Sequence, residues 1–238
     1  MITLKDLKIK PALLQPRLQF LSRMLSKKDD VILSLSYGYS GTDVDKHINI
    51  CKKFQFPVSR EEAYVVMLGD TAHEAAHLLF TSANAWQTAI ARGQVFQALV
   101  NILEDARVNR AIGFMFPGAR KWIGFTNHWV AKNRTEFGEN KPSQFINGLA
   151  LYAICGQMPD IPSDVQRAIS LCTPMIHDAR FAATTEVVIE CVEDIIEIPE
   201  VAKLLDDLIN PPEAPSFLGT SSPCQAPGAK PRRQPDSK

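Results

Sequence analysis

The chain has 238 residues, of which 45% are hydrophobic and 22% are charged. This composition is typical of an ordinary folded protein and excludes a fibrous or fully disordered chain. The 26 basic residues balance the 26 acidic ones, so net charge gives no reason to expect specific binding to nucleic acid or to an anionic membrane. The five cysteines are scattered and form no Cys-x-x-Cys pair, which argues against a disulfide framework and a thiolate zinc site.

The start of the chain gives no signal for export. Its first residues alternate apolar and charged side chains and lack the continuous apolar core of a secretory signal. The longest apolar stretch, over residues 148–156, is much shorter than the roughly 20 residues that a membrane-spanning helix needs. We therefore expect a cytoplasmic protein with reduced thiols and no membrane span.

The N-terminal part predicts one helix followed by a small sheet. Leucines recur at helical spacing over residues 11–25, which predicts an amphipathic helix. The β-branched and apolar run over 31–37 predicts a strand. A second short strand over 46–50 can pair back with it across a turn at 41–43, which predicts a small sheet.

Most of the remaining chain predicts helices. Ser59 and Glu62 form a capping-box pattern at the start of a helix that runs to about Phe80. The next helical stretch covers 85–112, with a kink or boundary at Gly93. Turn signals separate the further predicted helices, which cover 121–133, 143–155, 163–171, 177–195 and 199–209. The expected fold class is mainly α (α+β), with a small β-hairpin or sheet near residues 31–50 beside the helix that ends near Phe80.

The composition changes near residue 210. Residues 211–238 are rich in Pro, Gly and Ser and carry a short basic cluster. Such a segment cannot bury enough apolar surface to fold. We expect one folded domain over 1–210, with helices in its C-terminal part, followed by a disordered tail over 211–238.

The long predicted helix carries the motif His73-Glu74-Ala75-Ala76-His77. Residues four apart on a helix share one face, so both imidazoles can bind one metal ion while Glu74 points to its edge. Zinc lowers the pKa of a bound water, and a carboxylate at this position can take the proton. We therefore predict a single Zn²⁺ held by His73 and His77, with Glu74 as the catalytic general base.

A hydrolytic zinc site needs a third protein ligand and keeps one position open for water. Glu104 on the next predicted helix is the favoured ligand, because a short connection can fold that helix back against the first. Asn101 shares its face, Asp105 can accept a hydrogen bond from a ligand imidazole, and Asp70 can hydrogen-bond within the site. An alternative that the sequence leaves open is Asp105 as the ligand, with Glu104 in the outer shell.

Two blocks of the sequence resemble a known family. They cover residues 70–81 and 101–109, and the second reads Asn-Ile-Leu-Glu-Asp-Ala-Arg-Val-Asn. They are similar to the metallopeptidase-like region that precedes a von Willebrand A domain in cobaltochelatase CobT-type and related proteins of bacteria and their phages. The resemblance covers about residues 31–110 and implies a zincin-like domain. By that likeness His73, His77 and Glu104 hold the metal, and Glu74 is the catalytic carboxylate.

The same resemblance implies partners. Proteins of this family normally continue into a von Willebrand A domain, which works with an AAA+ ATPase of the MoxR or chelatase type. Here a Pro-rich segment follows instead. We therefore expect either an A domain encoded separately or a stand-alone or truncated form.

Two functions agree with these features. The first is a zinc-dependent metallopeptidase of the gluzincin kind, acting on a peptide or protein substrate. The second is a non-hydrolytic metal-binding scaffold or helper subunit in a chelatase-like system. Glu74 favours the first, because a purely structural zinc site has no use for a carboxylate inside the motif. A third hypothesis, a helical interaction protein with a fortuitous motif, predicts no bound metal.

Overall fold

The structure is a computed structural model that describes residues 1–209. These residues form ten helices and five short strands, so the predicted mainly α (α+β) class is confirmed. The helices are α1 (Pro11–Ser26), α2 (Arg60–Phe80), α3 (Ala83–Ala91), α4 (Gln94–Met115), α5 (Pro117–Asn133), α6 (Lys141–Cys155), α7 (Ser163–Leu171), α8 (Thr173–Phe181), α9 (Thr185–Glu197) and α10 (Pro199–Ile209). The strands are β1 (Ile2–Thr3), β2 (Ile32–Ser36), β3 (Gly41–Thr42), β4 (His47–Cys51) and β5 (Lys53–Phe54). The tail predicted for 211–238 lies outside the described residues.

The strands form two small sheets near the N-terminus. In the larger sheet the order is β2-β4-β3, and β2 pairs with β4 in parallel, with Leu33 opposite Ile48. β3 pairs antiparallel with β4, and the Asp43 carboxylate closes the turn between them by accepting backbone hydrogen bonds. In the second sheet β1 pairs antiparallel with β5.

The sheet predicted near residues 31–50 is present, but its two main strands run parallel and do not form a hairpin. The hairpin is made by β3 and β4, and β2 lies on the other side of β4. The sequence pattern placed Gly41–Thr42 in a turn, because two residues are too few to show the alternation of a strand.

α2 begins with the capping box that the sequence predicted. The Ser59 hydroxyl accepts a hydrogen bond from the Glu62 backbone N–H at 3.2 Å, and the Glu62 carboxylate accepts one from the Ser59 backbone N–H at 2.8 Å. The helix ends at Phe80, where Thr81 takes an extended conformation and its backbone N–H donates to the His77 carbonyl. Buried residues occur along the whole helix, which makes α2 the central element of the N-terminal part.

A close approach of α5 fixes one side of α2. A Cβ atom at Gly69 would lie 2.1 Å from Thr126 Oγ1 and 2.8 Å from the Trp122 carbonyl oxygen, so any larger residue would push the two helices apart. α1 and α4 also pack against α2. The position and rotation of α2 are therefore fixed by neighbours along its length.

Two hydrophobic cores meet at α4. The first core is built from α1, α2, α5 and the sheets, and the second is built mainly from α3, α4 and the helices after α5. α4 belongs to both, because Leu99 and Leu103 are buried in the second core whereas Val108 and Ile112 are buried in the first. Residues 104–107 therefore lie at the seam, the region where α4 passes from one core to the other.

The C-terminal helices agree with the prediction except at one place. The sequence predicted a single helix over 177–195, but the structure has α8, which ends at Phe181, and α9, which begins at Thr185. Thr184 takes an extended conformation at the start of α9, and Glu186 lies in its first turn. Threonine before an acidic first turn is a helix-start signal, although helical apolar spacing continues across the break.

No helix among the described residues is long and apolar enough to cross a membrane. The four cysteines in this part of the chain are free. Burial raises the pKa of Cys172 to about 12, so this thiol is an unreactive core residue.

Candidate metal centre

Three side chains that can bind a metal ion meet at the seam. His73 and His77 lie one turn apart on α2, and Asp105 lies on α4, which packs against α2. The Asp105 Oδ1 atom lies 3.0 Å from His77 Nε2 and 3.5 Å from His73 Nε2. Each residue offers one ligand atom, and these atoms all lie within 4.8 Å of one another. This group, called here the metal cluster, can hold a metal ion.

The metal cluster is mostly buried but not closed. The side chains of His73, His77 and Asp105 are 19%, 9% and 13% exposed, respectively. The two imidazole rings are nearly perpendicular, with an interplanar angle of 88° and centroids 4.8 Å apart. The ligand atoms are therefore held in place by packing and remain within reach of solvent.

Each imidazole is oriented by a second contact through its Nδ1 atom. His73 Nδ1 lies 2.8 Å from Asn109 Oδ1, and His77 Nδ1 lies 3.0 Å from Thr81 Oγ1. Asn109 Oδ1 can only accept, so the proton of a neutral His73 lies on Nδ1 and the lone pair of Nε2 faces Asp105. A partner on the outer nitrogen of a ligand imidazole is a regular feature of metal sites.

The two Nε2 atoms face Asp105 Oδ1, and the position of the proton on each imidazole decides whether they donate or accept. When both imidazoles carry their proton on Nδ1, two Nε2 lone pairs and a carboxylate oxygen converge. Such an arrangement is favourable only when a cation or an extra proton lies between them. The donor set of two imidazoles and one carboxylate is suited to a divalent transition metal.

Glu74 lies beside the metal cluster and is almost completely buried, with 3% of its surface exposed. Among the described residues no side chain or backbone group donates a hydrogen bond to its carboxyl group. Burial raises its pKa to about 8; His73 opposes the rise, whereas Asp105 and Asp70 add to it. A bound dication would oppose the rise further, because it favours the ionised carboxylate.

Asp70 and Asn101 border the site. Burial raises the pKa of Asp70 to about 6, although the Ser40 hydroxyl donates to Asp70 Oδ2 at 3.0 Å and His73 lies nearby. Asn101 Nδ2 lies 3.4 Å from Asp105 Oδ2, on the side of that carboxylate away from the imidazoles. Asp70 therefore lies next to His73, and Asn101, predicted to share the face of Glu104, instead contacts Asp105.

The structure does not bring Glu104 to the imidazoles. Its side chain is fully buried, and its carboxylate forms an ion pair with Arg107 at 2.8 Å to Nε and 2.7 Å to Nη2. The hydroxyl groups of Thr81 and Thr185 donate to its Oε1 atom at 2.7 and 3.0 Å. Because neighbouring residues on α4 point in different directions, Asp105 faces the two imidazoles, whereas Glu104 faces the end of α2 at Thr81. We therefore replace Glu104 by Asp105 as the candidate third ligand, the alternative that the sequence left open.

Sequence reasoning missed three residues that support the site. Thr81 lies four residues after His77, and Asn109 lies four residues after Asp105, so helical spacing was a signal for both. Thr185 had no such signal, because it comes from α9 and meets Glu104 only through folding. Within residues 1–209, no second group of three His, Cys, Asp or Glu side chains lies close enough to share a metal ion.

Comparisons with protein families, curated proteins and solved structures find no match to this chain. The function of this chain is therefore inferred from the geometry and chemistry of the site.

Proposed function

We propose that this protein is a zinc-dependent hydrolase of peptide bonds. In this proposal His73, His77 and Asp105 hold a single Zn²⁺, and Glu74 is the general base. The ligand set is thus two histidines and one aspartate, which differs from the two histidines and one glutamate of gluzincins. The zincin-like character that the sequence suggested is kept, with a different third ligand.

The observation that carries the proposal is the surroundings of Glu74. Its side chain is 3% exposed beside His73 and Asp105, and no hydrogen bond from the described residues holds its carboxyl group. Its oxygen atoms are not among the fully enclosed, unpaired polar atoms of the described residues, so a water molecule can reach them. A site that only held a structural ion has no use for a free carboxylate inside the motif. A general base, in contrast, needs free oxygen atoms that can bind a water molecule and take its proton.

The role of the metal follows from the donor set. Three protein ligands are the number that catalytic zinc sites use, and they leave one position for water or substrate. Bound zinc supplies Lewis acidity, which acidifies a water molecule and polarises a substrate carbonyl. Glu74 takes the proton and can pass it to the leaving amine, and the partial exposure of the metal cluster allows a substrate to approach.

The test uses the full chain, purified without added metal. Metal content is measured by elemental mass spectrometry, and hydrolysis is measured by mass spectrometry on a library of random-sequence peptides. We expect about one zinc ion per chain and defined cleavage products. Glu74→Gln should keep the zinc and lose the cleavage. Glu61→Gln, an exposed residue in the first turn of the same helix, is the matched control and should change neither.

The outcomes separate the hypotheses. Protein that takes up no zinc, even when zinc is supplied, would overturn the metal centre. Iron bound in place of zinc would overturn the zinc assignment, because iron(II) oxygenases also use two histidines and one carboxylate. Zinc without cleavage would support the second hypothesis, a metal-binding helper subunit that works with a von Willebrand A protein and an AAA+ ATPase of the MoxR type. Unchanged cleavage by Glu74→Gln would overturn the role of Glu74.

A further inference from the structure

Glu104 is completely buried at the seam and takes no part in the metal cluster, so its role needs a separate explanation. Its carboxylate accepts two hydrogen bonds from Arg107 and one each from the hydroxyl groups of Thr81 and Thr185. These four residues, Thr81, Glu104, Arg107 and Thr185, are called here the Glu104 network. All of the hydrogen bonds to Glu104 lie within the protein.

The direction of each hydrogen bond in the network is determined by chemistry. A carboxylate paired with a guanidinium group only accepts, so the Thr81 hydroxyl must donate its proton to Glu104. The same hydroxyl lies 3.0 Å from His77 Nδ1 and has only lone pairs left for this contact. A neutral His77 therefore carries its proton on Nδ1, and its Nε2 lone pair then faces Asp105.

Thr185 connects this arrangement to the second core. Its hydroxyl also donates to Glu104 Oε1, and the oxygen accepts a hydrogen bond from the Ser82 backbone N–H at 2.9 Å. Thr185 is the first residue of α9, and Ser82 precedes α3. Glu104 Oε1 thus joins the end of α2 to the start of α9, two elements that are far apart in the sequence.

We infer that Thr81, Glu104 and Thr185 are positioning residues, which fix the ring orientation and proton position of His77 for metal binding. A consequence is that metal affinity depends on the docking of α9. This inference rests on the proposed metal centre. It adds that residues outside the ligand set determine the metal affinity. None of the three residues touches the ligand atoms that would hold the metal; they act through His77.

The experiment measures metal affinity and the geometry of the metal site in the full chain. The metal-stripped protein is titrated with Co²⁺, whose visible absorption spectrum reports coordination geometry, and Zn²⁺ affinity is obtained by competition with a chromophoric chelator. Thr81→Val should weaken Zn²⁺ binding by about 10–100-fold and change the Co²⁺ spectrum, as loss of an outer-shell partner does in other sites. Thr81→Ser keeps the hydroxyl and should restore both to near the wild-type values.

Thr185→Val tests the connection to α9. It removes the hydroxyl with little change in volume, and we expect weaker Zn²⁺ binding, by a smaller factor than in Thr81→Val. The matched control is Thr71→Val, because Thr71 is also fully buried but donates to the Met67 carbonyl within α2. Thr71→Val should leave the affinity within about twofold of wild type, since it has no contact with the network. Circular dichroism and thermal unfolding confirm that each variant is folded.

Each result decides between the two proposals. Wild-type protein that binds neither Co²⁺ nor Zn²⁺ would overturn the metal centre before any variant is made. If the wild type binds but Thr81→Val binds equally well, or Thr81→Ser fails to restore binding, the positioning role is overturned and the metal centre is kept. If Thr81→Val does not fold, Thr185→Val carries the test, and an affinity equal to that of Thr71→Val would overturn the coupling to α9.

Discussion

Two polar clusters lie side by side at the seam, and they differ in how their charges are balanced. In the Glu104 network the carboxylate faces a guanidinium group and two hydroxyl donors, and the Glu104 side chain has no exposed surface. In the metal cluster a carboxylate oxygen faces two imidazole nitrogens, and all three side chains keep some exposure. The first cluster is complete within the protein, and the second is complete only with an added cation or proton.

The difference shows that burial by itself does not identify a site. The side chains of Glu104 and Glu74 are 0% and 3% exposed, but among the described residues only Glu104 has hydrogen-bond partners for its carboxylate oxygens. A buried polar group with all its hydrogen bonds made inside the protein stabilises one arrangement of the chain. A group without them either costs stability or serves a ligand. The balance of donors and acceptors is therefore what separates the structural cluster from the functional one.

The largest effect is expected from removing the positive charge of the Glu104 network. Arg107→Met leaves the Glu104 carboxylate buried without its ion-pair partner, which should lower the free energy of unfolding by about 3–5 kcal/mol. Urea denaturation followed by circular dichroism measures this change. The control is Arg167→Met, which removes an ion pair to Glu200 at 3.7 Å with side chains 74% and 43% exposed. We expect that control to change stability by less than about 1 kcal/mol.

A small effect of Arg107→Met, equal to that of Arg167→Met, would contradict the structural role of the network. A second variant separates the effect of the unpaired charge from the effect of lost packing. Replacing both partners, in Glu104→Gln with Arg107→Met, removes both charges and should recover part of the lost stability, because no unpaired charge remains buried.

At Asp105 we expect a large loss of metal affinity and little loss of stability, the reverse of the prediction for Arg107. Asp105→Asn should weaken Zn²⁺ binding by more than about 100-fold, because it removes a charged ligand. The loss of a ligand should cost more affinity than the loss of an outer-shell partner, which costs about 10–100-fold. In the metal-stripped protein the same substitution should change the free energy of unfolding by less than about 1 kcal/mol, because the new amide can donate to an imidazole nitrogen. Chelator competition measures the first quantity and urea denaturation the second. A large loss of apo-protein stability would make Asp105 a structural residue like Glu104.

A smaller effect is expected at the outer nitrogen of His73. Asn109→Leu removes the acceptor of the His73 Nδ1 proton and should weaken Zn²⁺ binding by about tenfold. Asn109→Asp should tighten binding, because a carboxylate in that place raises the basicity of the imidazole. Gln94→Leu, at an exposed position on the same helix, is the control. Equal affinities for Asn109→Leu and Asn109→Asp would show that this contact does not tune the metal cluster.

The parts of the fold that the sequence predicted are those governed by local chemistry. The capping box of Ser59 and Glu62, the helical spacing of α1 and the break at Gly93 each depend on residues close in sequence. Gly93 has a φ of 100°, in the region that favours glycine. The placing of His73 and His77 on one face is local for the same reason, because it follows from the geometry of a single helix.

The choice between Glu104 and Asp105 depends on tertiary structure. Neighbouring residues on a helix point about 100° apart, so only one of the two can face the imidazoles of α2. The rotation of α4 decides which one does, and that rotation is set by the burial of Leu103 in the second core and Val108 in the first. The presence of Arg107 three residues after Glu104 was the one local signal, because a residue at that spacing can form an ion pair.

The smallest effect is expected at Asp43, a carboxylate that is satisfied like Glu104 but lies in an exposed turn. Burial opposes its ionisation, but hydrogen bonds from the His47 backbone and side chain and from the next turn residues lower its pKa from 3.8 to about 2. Because the folded pKa is the lower one, ionised Asp43 stabilises the fold above about pH 4, and this stabilisation is lost as the pH falls towards about 2.

The side chain of Asp43 is 41% exposed, so Asp43→Asn should cost less than about 1 kcal/mol near neutral pH. Urea denaturation of wild type and variant between about pH 6 and about pH 3 measures the difference, which should shrink as the pH falls. A difference that did not change with pH would show that the amide disturbs the turn by its shape, and that loss of the charge is not the cause.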